Sequence, residues 1–428
     1  MMCQKLGLIE PLPAIIISFC FLGVMLLKRT NLAITLNGTA LLLAFLALDW
    51  TQIPMVIFKT TDLQLDEGRL GASIVLATFG VMLLSQLYKE TGFINRLSQN
   101  LSKLIKNPKI IMCTLPAVIG LLPVAGGALM SAPLVDSEAE KLGMSADKKA
   151  YVNLWFRHTV FPVYPLSQVL ILTAALTSTT VTVTVPEIII RQIPVVIVMI
   201  IVGYFLGFWK TRKFQIEKIE KHKNNIGTDI RQFLNSFLPI LATIVVAVSL
   251  GVAGSGLSKQ GFDVLIATFV GIMVLILVSK MRFETFAKPF KSWGIYSVTM
   301  AVYGAFLLRN VMNTAEVSQM FQIYATNGNV NTILLLTLVP AVLGFLMGSP
   351  SGGVAISVSV MAGLVTFSAA TSSLLYMSAY LGYTVAPTHL CFTFTADYFK
   401  CPISKVYKYV IPSFLITFAA TLLVYFLF

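Results

Sequence analysis

The side chains with most chemical reach in this sequence sit in one short run, Trp155-Phe156-Arg157-His158-Thr159-Val160-Phe161-Pro162-Val163-Tyr164-Pro165, inside a long apolar segment. An arginine in such a segment is costly and persists where it is paired or functional. The guanidinium fork matches carboxylate and phosphate oxygens two at a time, so Arg157 is a candidate receiver for an anionic solute. The competing reading is a structural ion pair. His158 titrates near neutrality when unperturbed and is either a proton-coupling group or a hydrogen-bonded packing residue. Asn153, Tyr164 and His389 are weaker candidates of the same kind, and Arg309 has the pattern of a residue that snorkels.

Two further clusters are made of small residues and proline. Leu122-Pro123-Val124-Ala125-Gly126-Gly127 interrupts the apolar segment 109–135, and Gly348-Ser349-Pro350-Ser351-Gly352-Gly353 interrupts the segment 331–368. Limbs of about 14 residues are too short to cross a hydrocarbon core of roughly 30 Å. Two such limbs joined by glycine and proline predict a re-entrant hairpin, and irregular backbone at membrane depth is tolerated only beside protein or a watery cavity. A helix-packing face would explain the glycines but not Pro350. The next span of each half carries Thr159-Val160-Phe161-Pro162 or Thr384-Val385-Ala386-Pro387. Proline removes an amide donor and frees carbonyls. Discontinuous helices of this type bind anions at half-helix N-termini and Na⁺ at unwound carbonyls and hydroxyls. Thr159 and Thr384 are the candidate hydroxyl ligands. The candidate substrate site is therefore Pro123, Gly126, Gly127, Arg157, His158, Thr159, Pro162, Ser349, Pro350, Ser351, Gly352, Gly353, Thr384 and Pro387. No cofactor is expected beyond Na⁺.

The surrounding composition sets the class. Of 428 residues, 57% are apolar and 11% charged, and mean hydropathy is +0.84. A soluble domain carries about a quarter charged residues. The net charge of +13 does not point to nucleic acid, because the basic residues fall in short clusters between apolar runs, the pattern of cytoplasmic loops. No GxSxG, HExxH or P-loop pattern occurs, and no intramembrane pair of carboxylates at helical spacing, so an enzyme is not expected. Cys3, Cys20, Cys113, Cys391 and Cys401 show no CxxC or CxxH spacing, which argues against a metal or disulfide framework. The first apolar run, about 8–27, lacks a basic leader and a cleavage motif and is expected to be a span.

Apolar segments follow at about 32–50, 70–88, 109–135, 151–176, 187–209, 233–253, 262–280, 293–312, 331–368, 374–397 and 409–428. The polar stretch between 209 and 233 splits them into a first half, 1–209, a basic linker, 210–232, and a second half, 233–428. The halves repeat. At an offset of 224, Phe79-Gly80 lies over Tyr303-Gly304, and Pro116-Ala117-Val118-Ile119-Gly120 over Pro340-Ala341-Val342-Leu343-Gly344. Gly126-Gly127 corresponds to Gly352-Gly353, and Thr159-Val160-Phe161-Pro162 to Thr384-Val385-Ala386-Pro387 at 225. With both hairpins re-entrant, each half has five spans, and an odd number inverts the second half. A cytoplasmic linker then places 24 of the 31 lysine and arginine residues in cytoplasmic loops, with both termini outside.

The runs LPAVIGLLPVAGGALMSAPLVDSEAEKLGMS and NLWFRHTVFPVYPLSQVLIL resemble a family of otherwise uncharacterised membrane proteins. That family is placed in the ion transporter superfamily, beside the citrate, dicarboxylate–sodium, gluconate and arsenite carriers. The resemblance covers essentially the whole chain. It implies a scaffold (about 1–92 and 232–316) that forms a homodimer. It also implies an elevator-like transport domain (about 108–210 and 330–428) and linking amphipathic helices at 93–106 and 317–329. The dicarboxylate carriers' Ser-Asn-Thr hairpin tip is replaced here by Ser349-Pro350-Ser351-Gly352-Gly353. The expectation is an all-α polytopic protein of the cell membrane with about ten spans and two hairpins. It would be a secondary transporter of a small anionic organic solute, coupled to Na⁺ or H⁺. A passive channel or a non-transporting membrane scaffold is the alternative.

Overall fold

The computed structural model describes residues 7–28, 30–122, 127–178, 181–211, 226–253, 261–316, 331–361 and 364–428. Among them the chain is all α-helical. The first half contains α1 (Pro11–Leu27), α2 (Leu32–Ala47), α3 (Gln52–Lys59), α4 (Asp66–Glu90), α5 (Phe93–Leu104), α6 (Pro108–Gly120), α7 (Gly127–Glu140), α8 (Ala146–Thr159), α9 (Gln168–Thr177) and α10 (Val185–Phe208). The second contains α11 (Ile226–Val252), α12 (Phe262–Ser279), α13 (Phe283–Ala287), α14 (Trp293–Thr314), α15 (Thr332–Met347), α16 (Pro350–Met361), α17 (Ala369–Val385), α18 (Leu390–Tyr398) and α19 (Ile403–Leu427).

Local chemistry explains the boundaries. Asn107 accepts from the Lys109 amide at the start of α6, and Asn331 accepts from Ile333 and Leu334 at the start of α15. Both are side-chain caps for orphan amides, and they lie 224 residues apart, matching the repeat offset. Thr184 and Glu187 form a capping box on α10, with Pro186 in its first turn. Gly92, with φ of +69°, takes the left-handed turn between α4 and α5 that a side chain would oppose. Phe93, Ile94, Leu97 and Leu101 bury one face of α5, as the amphipathic expectation required. Its counterpart at 317–329 lies outside the described residues.

Seven stretches among the described residues are long and apolar enough to cross a membrane: the helices α4, α10, α11, α12, α14 and α19, and the interrupted stretch Ala146–Thr177. The expected ten spans include three that fall short by length. The helices α1 and α2 have 17 and 16 residues, about 25 Å at 1.5 Å per residue, and the span at 374–397 is divided at Pro387 into α17 and α18. The outward surface is apolar: Ile190, Ile197 and Phe205 on α10 and Leu415, Leu423 and Phe426 on α19 are exposed. The interior holds serines and threonines whose hydroxyls return to helix carbonyls, as Thr39, Thr177 and Thr421 do. That distribution suits a hydrocarbon solvent.

Both expected hairpins are present as pairs of short packed helices. The pair α6 and α7 spans 13 and 14 residues; α15 and α16 span 16 and 12 and are joined by Gly348 and Ser349. Both predicted breaks are also present. The helix α8 stops at Thr159, a 3₁₀ turn covers Phe161–Val163, and α9 resumes at Gln168; α17 stops at Val385 and α18 starts at Leu390.

Packing is reciprocal between halves. The glycines of the two long helices admit a polar residue from the other half: a side chain at Gly80 would meet Thr268 of α12, and one at Gly304 would meet Asn37 of α2. The helix α7 packs on α18 and α16 on α9; likewise α10 packs on α17 and α19 on α8. One buried cluster unites α1, α2, α4, α12 and α14 with both hairpins, and a second unites α7, α8, α10, α17 and α19.

Candidate functional site

The helix α8 carries Arg157, His158 and Thr159 into the protein interior at its last turn, where they are 2%, 1% and 3% exposed. The Arg157 side chain lies against the first residue of α7: a methyl group at Gly127 would stand 2.3 Å from Nη2 and 2.7 Å from Cζ. A methyl at Gly120, the last residue of α6, would stand 2.6 Å from the Arg157 carbonyl oxygen. Both ends of the first hairpin tip are therefore fitted to Arg157, and glycine is required there for close approach. Among the described residues Arg157 makes no ion pair, and its Nε and Nη1 have no hydrogen-bond partner. The structural ion pair offered as the competing reading is not found among the described residues. A buried guanidinium with free donors beside the amino end of a helix is an arrangement for holding an anion.

His158 is oriented from one side. Its Nδ1 lies 2.6 Å from the Leu154 carbonyl oxygen, which can only accept, so this nitrogen carries the proton. The ring's Nε2 faces the Tyr383 hydroxyl at 3.4 Å, and the Tyr380 hydroxyl donates to the His158 carbonyl at 2.7 Å. The His389 ring stands perpendicular to that of His158 at 4.7 Å and packs tilted by 38° against Tyr383 at 3.9 Å. The break after α8 and the break after α17 therefore meet face to face, one from each half.

Asn153 locks the surroundings. Its amide donates to the Ala128 carbonyl and to Thr395, and its oxygen accepts from Ser131, tying α8 to α7 and α18. Pro162 is buried in the 3₁₀ turn and Tyr164 just after it. Thr159 and Thr384 each donate to a carbonyl of their own helix, Phe156 and Leu381. That leaves their oxygen lone pairs free to face a cation.

The second hairpin is built differently. A methyl at Gly353 would meet the Gly344 amide nitrogen at 2.9 Å, one at Gly344 the Ala379 carbonyl oxygen at 2.2 Å, and one at Gly382 the Ala341 carbonyl oxygen at 2.0 Å. These glycines let α15, α16 and α17 approach backbone to backbone. Gly348, with φ of +56°, makes the tip turn and sits against Thr388, the residue after Pro387. At the repeat offset of 225, Gly382 stands where the first half has Arg157, and Tyr383 where it has His158. Ser349, Pro350, Ser351 and Gly352 lie at or next to this tip, whereas Gly353 serves packing. Pro123 and Gly126 lie outside the described residues. A groove of about 360 Å³ lined by Glu187, Arg191, Pro194, Ala369, Val424 and Phe428 contains none of the candidate residues.

Cys391 was missed by spacing along the chain. It follows His389 by two residues in α18, and its sulfur lies within 4.8 Å of ring nitrogens of both His158 and His389. The ligand set is assembled across the two halves, so no local pattern announces it.

From residue 14 to residue 428 the sequence matches the family described as a protein of unknown function (DUF401). The chain belongs to that family. No curated protein matches it. In fold, this DUF401 chain is similar to the Alcanivorax borkumensis YdaH transporter, at a TM-score of 0.59 and 13% identity, over 88% of this chain and 87% of that one. It is also similar to Neisseria gonorrhoeae MtrF, which is described as illuminating a class of antimetabolite efflux pumps. That match has a TM-score of 0.56 and 12% identity over 99% and 96% of the two chains. The DUF401 chain thus shares an architecture with known transporters across nearly its whole length.

Proposed function

We propose that this chain is a secondary active transporter of a small, carboxylate-like organic anion. It would work by elevator-type alternating access coupled to Na⁺ or H⁺. The observation that carries the reading is Arg157: buried, free of any carboxylate among the described residues, and fitted against Gly127 at the start of α7. The group the arginine lacks is the one the solute brings. Thr159 and Thr384, one at each helix break, are the hydroxyls offered to Na⁺, and His158 is the group offered to a proton.

The reciprocal contacts Gly80–Thr268 and Gly304–Asn37 support two repeats related by a twofold axis in the membrane plane. In this arrangement α6–α10 and α15–α19 form the moving part, and α1–α4 with α11–α14 form the scaffold through which two copies associate. Lys408 pairs with Asp147 and Lys148 donates to the Trp209 carbonyl. These contacts bring the loops at 141–149, 209–210 and 400–408 together, which supports assigning all three to the cytoplasmic side, with both termini outside. Arg157, His158, Thr159, Thr384 and His389 are all nearly inaccessible. Such occlusion suits alternating access better than a continuous channel.

The test is thermal unfolding of the purified protein against carboxylates, sugar acids, amino acids and oxyanions, each with and without Na⁺, followed by uptake into proteoliposomes. A ligand at 100 times its dissociation constant stabilises the folded state by about 2.7 kcal/mol. A shift with one anion class, lost in Arg157→Gln, supports the proposal. No shift with any anion removes the reason for assigning that cargo.

A further inference from the structure

We infer that His158, His389 and Cys391 form a binding site for a thiophilic d-block cation, with Zn²⁺ the best-fitting ion. The ligand atoms of the three residues lie within 4.8 Å of one another. Tetrahedral zinc, with bonds of about 2.0–2.1 Å to nitrogen and 2.3 Å to sulfur, needs donors roughly 3.4–3.6 Å apart. The cluster therefore has to contract by about 1 Å, within the reach of side-chain rotation.

Three independent features point to a ligand. The Nδ1 proton of His158 is committed to the Leu154 carbonyl at 2.6 Å. This is the outer contact that fixes a metal-binding histidine, and it leaves Nε2 as the acceptor, facing only the Tyr383 hydroxyl at a long 3.4 Å that a metal would displace. His389 is buried, and neither of its ring nitrogens makes a hydrogen bond of good geometry among the described residues, with the Thr384 carbonyl near the ring; coordination would remove that cost. The two rings stand 4.7 Å apart at 88°, close to the roughly 5 Å spacing of two imidazoles on one tetrahedral ion.

Two imidazoles and a thiolate favour zinc, cobalt or cuprous ion over Na⁺ or Mg²⁺, which take oxygen ligands. The Cys391 thiol gives up its proton on binding, and the thiolate offsets one charge of a divalent ion near Arg157. Three protein ligands leave a fourth position for water or a carboxylate oxygen. Cys391 is half-buried, so the site has a reachable edge. The cation site itself does not depend on the proposed anion transport, but an ion held there takes His158 out of the proton-coupling role and leaves Na⁺ as the coupling ion.

The experiment uses full-length protein without a histidine tag, purified in detergent and stripped with chelator, titrated with Co²⁺ and then Zn²⁺. The expected result is one Co²⁺ per chain, tetrahedral visible bands, and a thiolate-to-cobalt absorption that Zn²⁺ displaces. Cys391→Ser should abolish the thiolate band, and His389→Gln should weaken Co²⁺ by about tenfold or more. Where a variant fails to fold, wild-type protein gives the answer: Zn²⁺ should slow alkylation of Cys391, read by peptide mass spectrometry. Absence of stoichiometric Co²⁺, an unchanged thiolate band in Cys391→Ser, or alkylation indifferent to Zn²⁺ overturns the site. None of these readouts involves an anion or transport, so their failure leaves the Arg157 proposal standing, and the reverse holds.

Discussion

Replacing Arg157 with glutamine should weaken binding without lowering stability, a pairing that a structural arginine would not produce. Arg157 is 2% exposed, and two of its nitrogens have no partner among the described residues. A buried donor left unsatisfied costs about 1–3 kcal/mol, and more when it is charged. Glutamine removes the charge and most of the idle donors, so the unliganded variant should unfold at the same temperature as wild type or higher. The bound anion loses a charge-assisted contact worth about 1.5–3 kcal/mol, which weakens binding by about ten- to a hundred-fold. At a solute concentration 100 times the wild-type dissociation constant, wild type gains about 2.7 kcal/mol; the variant should gain only about 0.4–1.4 kcal/mol. Thermal unfolding with and without solute measures both quantities on one sample. A variant that unfolds several degrees lower without solute, yet shows the wild-type ligand shift, would refute the reasoning and make Arg157 a structural residue.

The two hairpin glycines should fail for different reasons. In Gly127→Leu the new side chain occupies the space of the Arg157 guanidinium, so uptake and anion binding should vanish while membrane insertion and thermal stability persist. In Gly353→Leu the obstacle is the Gly344 backbone at 2.9 Å, so uptake should vanish together with a lowered unfolding temperature; wild-type uptake in either variant counts against the hairpin site. Tyr88→Phe tests the scaffold. The Tyr88 hydroxyl donates to the Ser236 carbonyl at 3.1 Å and accepts from the Ile240 amide at 3.2 Å, replacing the helical bond between those two residues beside Pro239. Its removal should cost about 2 kcal/mol in detergent unfolding with anion affinity unchanged, and unaltered stability would show that α11 closes that bond by itself.

What the sequence made legible follows the physics that acts locally. Short apolar limbs flanking Gly-Pro clusters announced both hairpins, because span length is set by the bilayer. Proline at 162 and 387 announced both breaks, because it removes a backbone donor wherever it stands. The matched caps Asn107 and Asn331 were available in the sequence at the same offset of 224 and would have strengthened the repeat. The distinction between Gly127 and Gly353 was not available. Both follow a glycine at matched positions of the repeat, and only their neighbours, a guanidinium in one case and a helix backbone in the other, separate them. Cys391 was invisible for a related reason. Its partners come from α8 and from the cap of α18, and contact between halves leaves no trace in spacing along the chain. The span count fell short where length was the criterion, since α1 and α2 are predominantly apolar but end after 17 and 16 residues.

The asymmetry of the repeat bears on mechanism more than the repeat itself. Equivalent positions hold Arg157 and Gly382, His158 and Tyr383, Tyr164 and His389, so the two halves bring complementary groups to one place rather than two copies of one site. In the proposed mechanism the first half supplies the charge that meets the solute, and the second supplies glycines that seat α15 and α16 tightly on α17. An arginine at the helix break of both halves would bury two unpaired guanidiniums in one place, at a cost of several kcal/mol per buried charge. With one arginine, a single carboxylate would neutralise the site. The unliganded site carries an uncompensated charge and the loaded one does not. Loading then favours the occluded state through the electrostatics of Arg157 alone, without any requirement that the hairpins change their internal packing.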